Sequence, residues 1–75
     1  MAPPLPVLSG QEVRRAFERD GWLCVRQKGS HMILTRANSM ATLSVPDHKE
    51  VARGTLRSLI KAAGLTQEQF LDLLD

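Results

Sequence analysis

The stretch Lys28-Gly29-Ser30-His31 brings a cation, a residue without a side chain, a hydroxyl and an imidazole together within one tetrapeptide. A histidine, with an ordinary pKa of about 6.5, can take or give a proton near neutral pH. A glycine in a turn lets the backbone approach a ligand, so that an amide can face an anion with no side chain between them. Cleavage of an RNA phosphodiester needs little more. A base removes the proton from the ribose 2′-hydroxyl, a cation or amide steadies the charge gathering on the phosphorane, and an acid protonates the leaving oxygen. On the tetrapeptide alone, the favoured reading is a partly buried strand-entry histidine bonded to a carbonyl. His48, after Pro46 in a polar stretch, is the other titratable candidate. It is either a second acid or base completing a two-histidine scheme, or an exposed loop residue with no role.

Arg53, Arg57 and Lys61 recur every four residues and so share one flank of a helix. They are either a solvated surface with snorkelling stems or a stripe that tracks phosphates, helped by open amides at a helix start near Gly54-Thr55. Arg26, Lys28 and Arg36 near the hairpin would extend such a stripe. Trp22 and Phe17 could stack on bases, but in a chain with so few aromatic residues they are read as core. Phe70, Leu71 and Leu74 are either ordinary packing or a face for a partner. Cys24 alternates with Trp22 and is read as an inert core thiol. There is no Walker-type glycine loop and no carboxylate pair at metal spacing, and no metal or cofactor is expected.

The elements that must position these residues follow from periodicity. Met1 to Leu8, with Pro3, Pro4 and Pro6, reads as a loose arm, leaving residues 9–75 as a single domain. Ser9 with Glu12 three positions on is a capping box, so a helix is predicted from about Gly10 to Asp20, with Val13, Ala16 and Phe17 on one face. Three strand-like runs follow: Trp22 to Gln27, Ser30 to Arg36 after a tight turn at Lys28-Gly29, and Met40 to Val45, stopped by Pro46. Short connections favour an antiparallel meander. In the second run Met32, Ile33 and Leu34 are all apolar, so the alternation does not say which face His31 takes. A second helix is predicted from near Gly54-Thr55 to Ala63, stopped by Gly64, and Thr66 with Gln69 opens a third. Helix, three strands, helix and a terminal helix make an α+β sandwich, a three-stranded antiparallel sheet with helices on one face. That is the order of the double-stranded-RNA-binding domain.

Bulk properties narrow the class. Seventy-five residues make one small domain, whose modest core favours a brace. Cys24 stands alone, so an internal disulfide is excluded, and one cysteine with two histidines far apart in sequence lacks a structural zinc set. Oligomerisation or a binding partner is the natural alternative, as a homodimer or a hetero-oligomer. No basic leader and no apolar run of about 20 residues is present, so a cytoplasmic protein with no membrane association is expected. The net charge of +2 understates the asymmetry. All ten basic side chains fall within residues 1–64, whereas the end carries Glu68, Asp72 and Asp75. A basic body favours a polyanionic partner.

From about Ser9 to Leu74 the sequence resembles the HicA family of bacterial toxin–antitoxin systems. The likeness rests on SGQEVRRAFERDGW, VRQKGSHMIL, LSVPDH and RGTLRSLIKAAGLTQEQFLDLL, in that order. The resemblance implies the double-stranded-RNA-binding type of fold and an endoribonuclease toxin that cleaves single-stranded messenger RNA. It makes His31 the catalytic residue, beside which Lys28, Gly29 and Ser30 are read from their own chemistry as holding phosphate, and it implies a HicB-type antitoxin that covers the active site. Two departures stand out. Many members carry a second histidine directly after the catalytic one, where this chain has Met32. Their Pro-Asp-Gly-like turn between the second and third strands is here Arg36-Ala37-Asn38-Ser39. The competing expectation is a non-catalytic RNA-binding module of the same fold, recognising duplex by shape.

Overall fold

The Ser9 hydroxyl accepts from the Glu12 amide at 3.2 Å, and the Glu12 carboxylate accepts from the Ser9 amide at 3.0 Å. Side chains thus satisfy donors that a helix start leaves open. In the computed structural model, which describes residues 4–74, the helix so capped is α1, Gly10–Arg19. It buries Val13, Ala16 and Phe17, and Gly21, at φ +96°, turns the chain out toward the sheet.

The sheet has strands β1 (Leu23–Lys28), β2 (His31–Thr35) and β3 (Leu43–Pro46), antiparallel and in the order β1-β2-β3. Its covered face carries Met32, Leu34, Leu43 and Val45, all fully buried. His31 and Ser44 are exposed and Ile33 is half-buried on the opposite, open face. The run of three apolar residues therefore holds one that faces outward.

β3 begins later than its predicted start at Met40 and ends one residue beyond Val45. At the start, the Ser39 hydroxyl accepts from the Ala41 amide at 3.1 Å, a local bond that competes with ladder pairing. At the end, the Asp47 amide points inward to the Ser30 carbonyl at 2.7 Å. The nitrogen of Pro46 therefore points outward, where an edge strand needs no donor.

Helix α2, Arg53–Ala62, buries Leu56, Leu59 and Ile60, and α3, Gln67–Asp72, starts at a second capping box between Thr66 and Gln69. The order α-β-β-β-α-α, with helices on one face of an open antiparallel sheet, is the α+β arrangement of the double-stranded-RNA-binding domain with a helix added. Among the described residues no helix is long and apolar enough to cross a membrane.

Two further segments differ from their sequence reading. Residues 1–3 of the expected loose arm lie outside the described residues, but Leu5 and Leu8 are buried in the core. The Leu8 carbonyl accepts from the Val51 amide at 2.8 Å, and the Leu5 carbonyl from Arg53 Nε at 3.0 Å. Pro4 and Pro6 restrict the backbone here without keeping Leu5 and Leu8 out of the core. Phe70 is fully buried against Phe17, ring centroids 5.2 Å apart, so it is core rather than part of a partner-facing surface. Leu71 and Leu74 are half-buried against the same core.

Candidate functional site

The turn between β1 and β2 consists of Gly29 and Ser30, so Lys28 lies in β1 and pairs directly with His31 across the ladder. Directly opposed residues hold their Cβ atoms about 4.5–5.5 Å apart, which roots the lysine side chain beside the imidazole. Gly29 takes φ +61°, a left-handed conformation that favours glycine. Both turn carbonyls are engaged, that of Ser30 by the Asp47 amide and that of Gly29 by Gln27 Nε2 at 3.3 Å. Among the described residues neither turn amide donates to another protein group, which leaves two donors beside His31 for an anion.

An extra residue in β1 decides what surrounds His31. Cys24 pairs with Leu34 but Arg26 pairs with Ile33, so Val25 is a bulge. Without it, Arg26 and Lys28 would point into the core and Gln27 outward, because a slip of one residue exchanges the faces of a strand. With it, Arg26 and Lys28 share the open face with His31, and Gln27 turns beneath the sheet. Nothing in the sequence reading marked Val25.

Gln27 there meets Asp47. The Asp47 carboxylate accepts from Gln27 Nε2 at 3.2 Å and from Gln11 Nε2 of α1 at 3.2 Å. Together with the amide bond to Ser30, these contacts tie the loop after β3 to β1, to α1 and to the turn. On the other side of His48 the chain is held again, because the His48 carbonyl accepts from the Gly10 amide at 2.8 Å. His48, exposed, is thereby set beside His31 with ring centroids 6.5 Å apart and planes inclined by 59°. Residues distant in sequence meet because β3 returns alongside β2. Gln11, Gln27 and Asp47 went unnoticed in the sequence, since no short-range pattern joins them.

The predicted basic residues divide by place. Arg26 and Lys28 lie on the open face. Arg36 lies beyond the far end of β2, five residues from His31 and so about 16 Å away. Its guanidinium bonds Asp20 at 2.9 Å and lies over the Trp22 ring, 5.7 Å from the centroid. That is a structural role, and it removes Arg36 from the group around His31. Arg53 bonds the Leu5 carbonyl, while Arg57 and Lys61 are exposed on α2, which packs on the covered face. Trp22 and Phe17 are core, as read, and Cys24 is half-buried beside it. Met32, in the place of a second histidine, is fully buried, its sulfur 3.5 Å from Gln11 Nε2. Adjacent strand residues point to opposite faces, so a side chain at this position does not share a surface with His31.

In chemical terms the site offers two exposed imidazoles, a lysine and two open amides at one end of an antiparallel sheet. No curated protein matches the chain. The family model described as HicA toxin of bacterial toxin–antitoxin matches residues 10–65, from the first residue of α1 to the turn after α2 and so across both histidines. The chain belongs to the HicA toxin family.

Proposed function

We propose that the protein is a cytoplasmic endoribonuclease toxin that cleaves single-stranded messenger RNA at His31 and is held in check by a HicB-type antitoxin. The observation that carries the reading is the exposed His31 between Lys28 and His48. Rings with centroids 6.5 Å apart can each reach a different oxygen of one phosphodiester through bonds of ordinary length, about 2.7–3.0 Å.

In this scheme one imidazole takes the proton of the ribose 2′-hydroxyl. The 2′-oxygen then bonds to phosphorus, the bond from phosphorus to the 5′-oxygen breaks, and the other imidazole gives that oxygen a proton. The products are a 2′,3′-cyclic phosphate and a 5′-hydroxyl. Lys28 and the amides of Gly29 and Ser30 steady the non-bridging oxygens as charge gathers there. Each acid–base group is worth roughly 10²–10⁴-fold in rate.

The test is digestion of a single-stranded RNA by purified protein in excess EDTA, with analysis of the new ends. Cyclic or 3′-phosphate ends, and a loss of about 10²–10⁴-fold in His31→Ala, are expected. A His31→Ala protein of full activity would overturn the reading. Binding of RNA without cleavage would point instead to a module that only binds.

A further inference from the structure

The strands Leu23–Lys28, His31–Thr35 and Leu43–Pro46 contain no aspartate or glutamate, and their two fixed cations, Arg26 and Lys28, stand on the same face. Among the described residues neither cation has an acid or a carbonyl as partner. The acids near the sheet are occupied elsewhere: Asp47 by two glutamine amides beneath it, and Asp20 by Arg36 at its far end. The charges that the strands themselves carry on the open face are thus all positive. The face also has an apolar floor. Ile33, opposite Arg26 and two residues on from His31, is half-buried, and Val25 and Leu23 are 55% and 66% exposed.

We infer that this open sheet face, rather than the basic row of α2, is the track for single-stranded RNA, with Arg26 and Ile33 forming the subsite for the nucleotide next to the phosphate at His31. The inference rests on the proposed cleavage at His31 for its direction, and it names the binding surface of that site. Two residues along β2 cover about 7 Å, a step that one extended nucleotide can span. A base presents a flat apolar face and a ring of polar edges. The Ile33 side chain suits the first, and the Arg26 guanidinium can stack on or hydrogen-bond the second while its charge neutralises the adjoining phosphate. Duplex RNA keeps its bases stacked inside and offers 2′-hydroxyls and phosphates on a rod, which leaves the apolar floor unused. The α2 row lacks this continuity, because Arg53 is held by the Leu5 carbonyl and the helix packs on the side of the sheet away from His31.

The experiment measures binding without chemistry, using a labelled 2′-O-methylated single strand of about 12 nucleotides over a salt series. Arg26→Gln should weaken binding roughly 5- to 100-fold and lower the salt slope by about 0.7, the share of one single-strand phosphate contact. Ile33→Thr, which keeps a β-branched residue in the strand, should weaken binding and leave the slope unchanged. Arg57→Gln/Lys61→Gln should bind like wild type, and duplex of the same sequence should compete poorly. Loss of binding in the α2 variant but not in Arg26→Gln would overturn the inference, as would equal competition by duplex. So would an Arg26→Gln protein that binds RNA normally but no longer binds the antitoxin, which would make the face a protein interface. Failure of the cleavage reading registers separately, as unmodified RNA left intact by a wild-type protein that still binds it.

Discussion

The imidazole of His31 enters the site from the start of β2 and that of His48 from the loop after β3, and the two lie 6.5 Å apart between centroids. The chain on either side of His48 is fixed by backbone bonds, Asp47 to Ser30 and Gly10 to His48, so the pairing is built into the fold rather than met by chance in a loose loop. If both rings serve one phosphodiester, His48→Ala lowers single-turnover cleavage by about 10²–10⁴-fold. Combining it with His31→Ala then adds much less than the product of the two losses, since the groups act as a unit. Wild-type turnover by His48→Ala would reduce His48 to a neighbour.

Gly10 sets how closely α1 approaches that loop. A Cβ there would overlap the Pro46 carbonyl oxygen and lie 2.9 Å from the Asp47 Cα, both of them backbone atoms that cannot step aside. Gly10→Ala should lower stability by about 1–3 kcal/mol, despite the higher helix propensity of alanine. The shift in residues 46–48 should also slow cleavage at temperatures where the variant is fully folded. Gly54→Ala is the matched control in α2. A Cβ at that position meets nothing within 4 Å, and the variant should be more stable by about 0.5–1 kcal/mol with unchanged cleavage. Urea titrations and cleavage rates on both proteins decide the matter.

How much of this could be read beforehand depended on how local the cause was. Ser9 with Glu12 and Thr66 with Gln69 act over one helical turn, and both capping boxes stand where their spacing predicts. The resemblance that named His31 drew on short motifs from about Ser9 to Leu74, and the family match covers residues 10–65 of that stretch. What escaped was set by distant partners. The face of His31 was hidden by three apolar neighbours until β3 paired with β2. The Val25 bulge exists only against Ile33, and the Asp47 clamp joins α1, β1 and the loop after β3. Charge alone does not place Arg36, whose type suits phosphate but whose neighbours are Asp20 and Trp22. In the Arg36-Ala37-Asn38-Ser39 turn, Asn38 adopts φ +63°, a position that asparagine tolerates better than most residues.

Arg36 gives a prediction that separates stability from RNA binding. Its partly exposed pair with Asp20 and its place over Trp22 are worth about 0.2–1 and 0.5–1 kcal/mol respectively. Arg36→Ala should therefore lower unfolding stability by about 1 kcal/mol, and Arg36→Lys should recover only part of it, since an ammonium lacks the planar stacking surface. RNA affinity should stay within about twofold of wild type, because the phosphate contact is assigned to Arg26 on the open face and not to Arg36. Trp22, the single tryptophan, reports the unfolding directly. A large drop in RNA affinity with stability intact would return Arg36 to the binding surface.

The cap of α1 makes stability respond to acid. Glu12 has its pKa lowered from the ordinary 4.5, chiefly because its carboxylate accepts from the Ser9 amide, then through the Ser9 hydroxyl, with the Arg15 charge adding to both. A carboxyl with a folded-state pKa below its unfolded value is protonated more readily in the unfolded chain. Its contribution to stability is complete above about pH 4.5 and is lost as pH falls through the lower folded value. Glu12→Gln keeps a neutral acceptor at the same place and removes the titration. The Tm of wild type should therefore exceed that of Glu12→Gln near pH 6, and the gap should close on acidification into the range below 4.5. A gap that stays constant or widens with acid would mean that the Ser9–Glu12 box does not hold the carboxylate in its charged form.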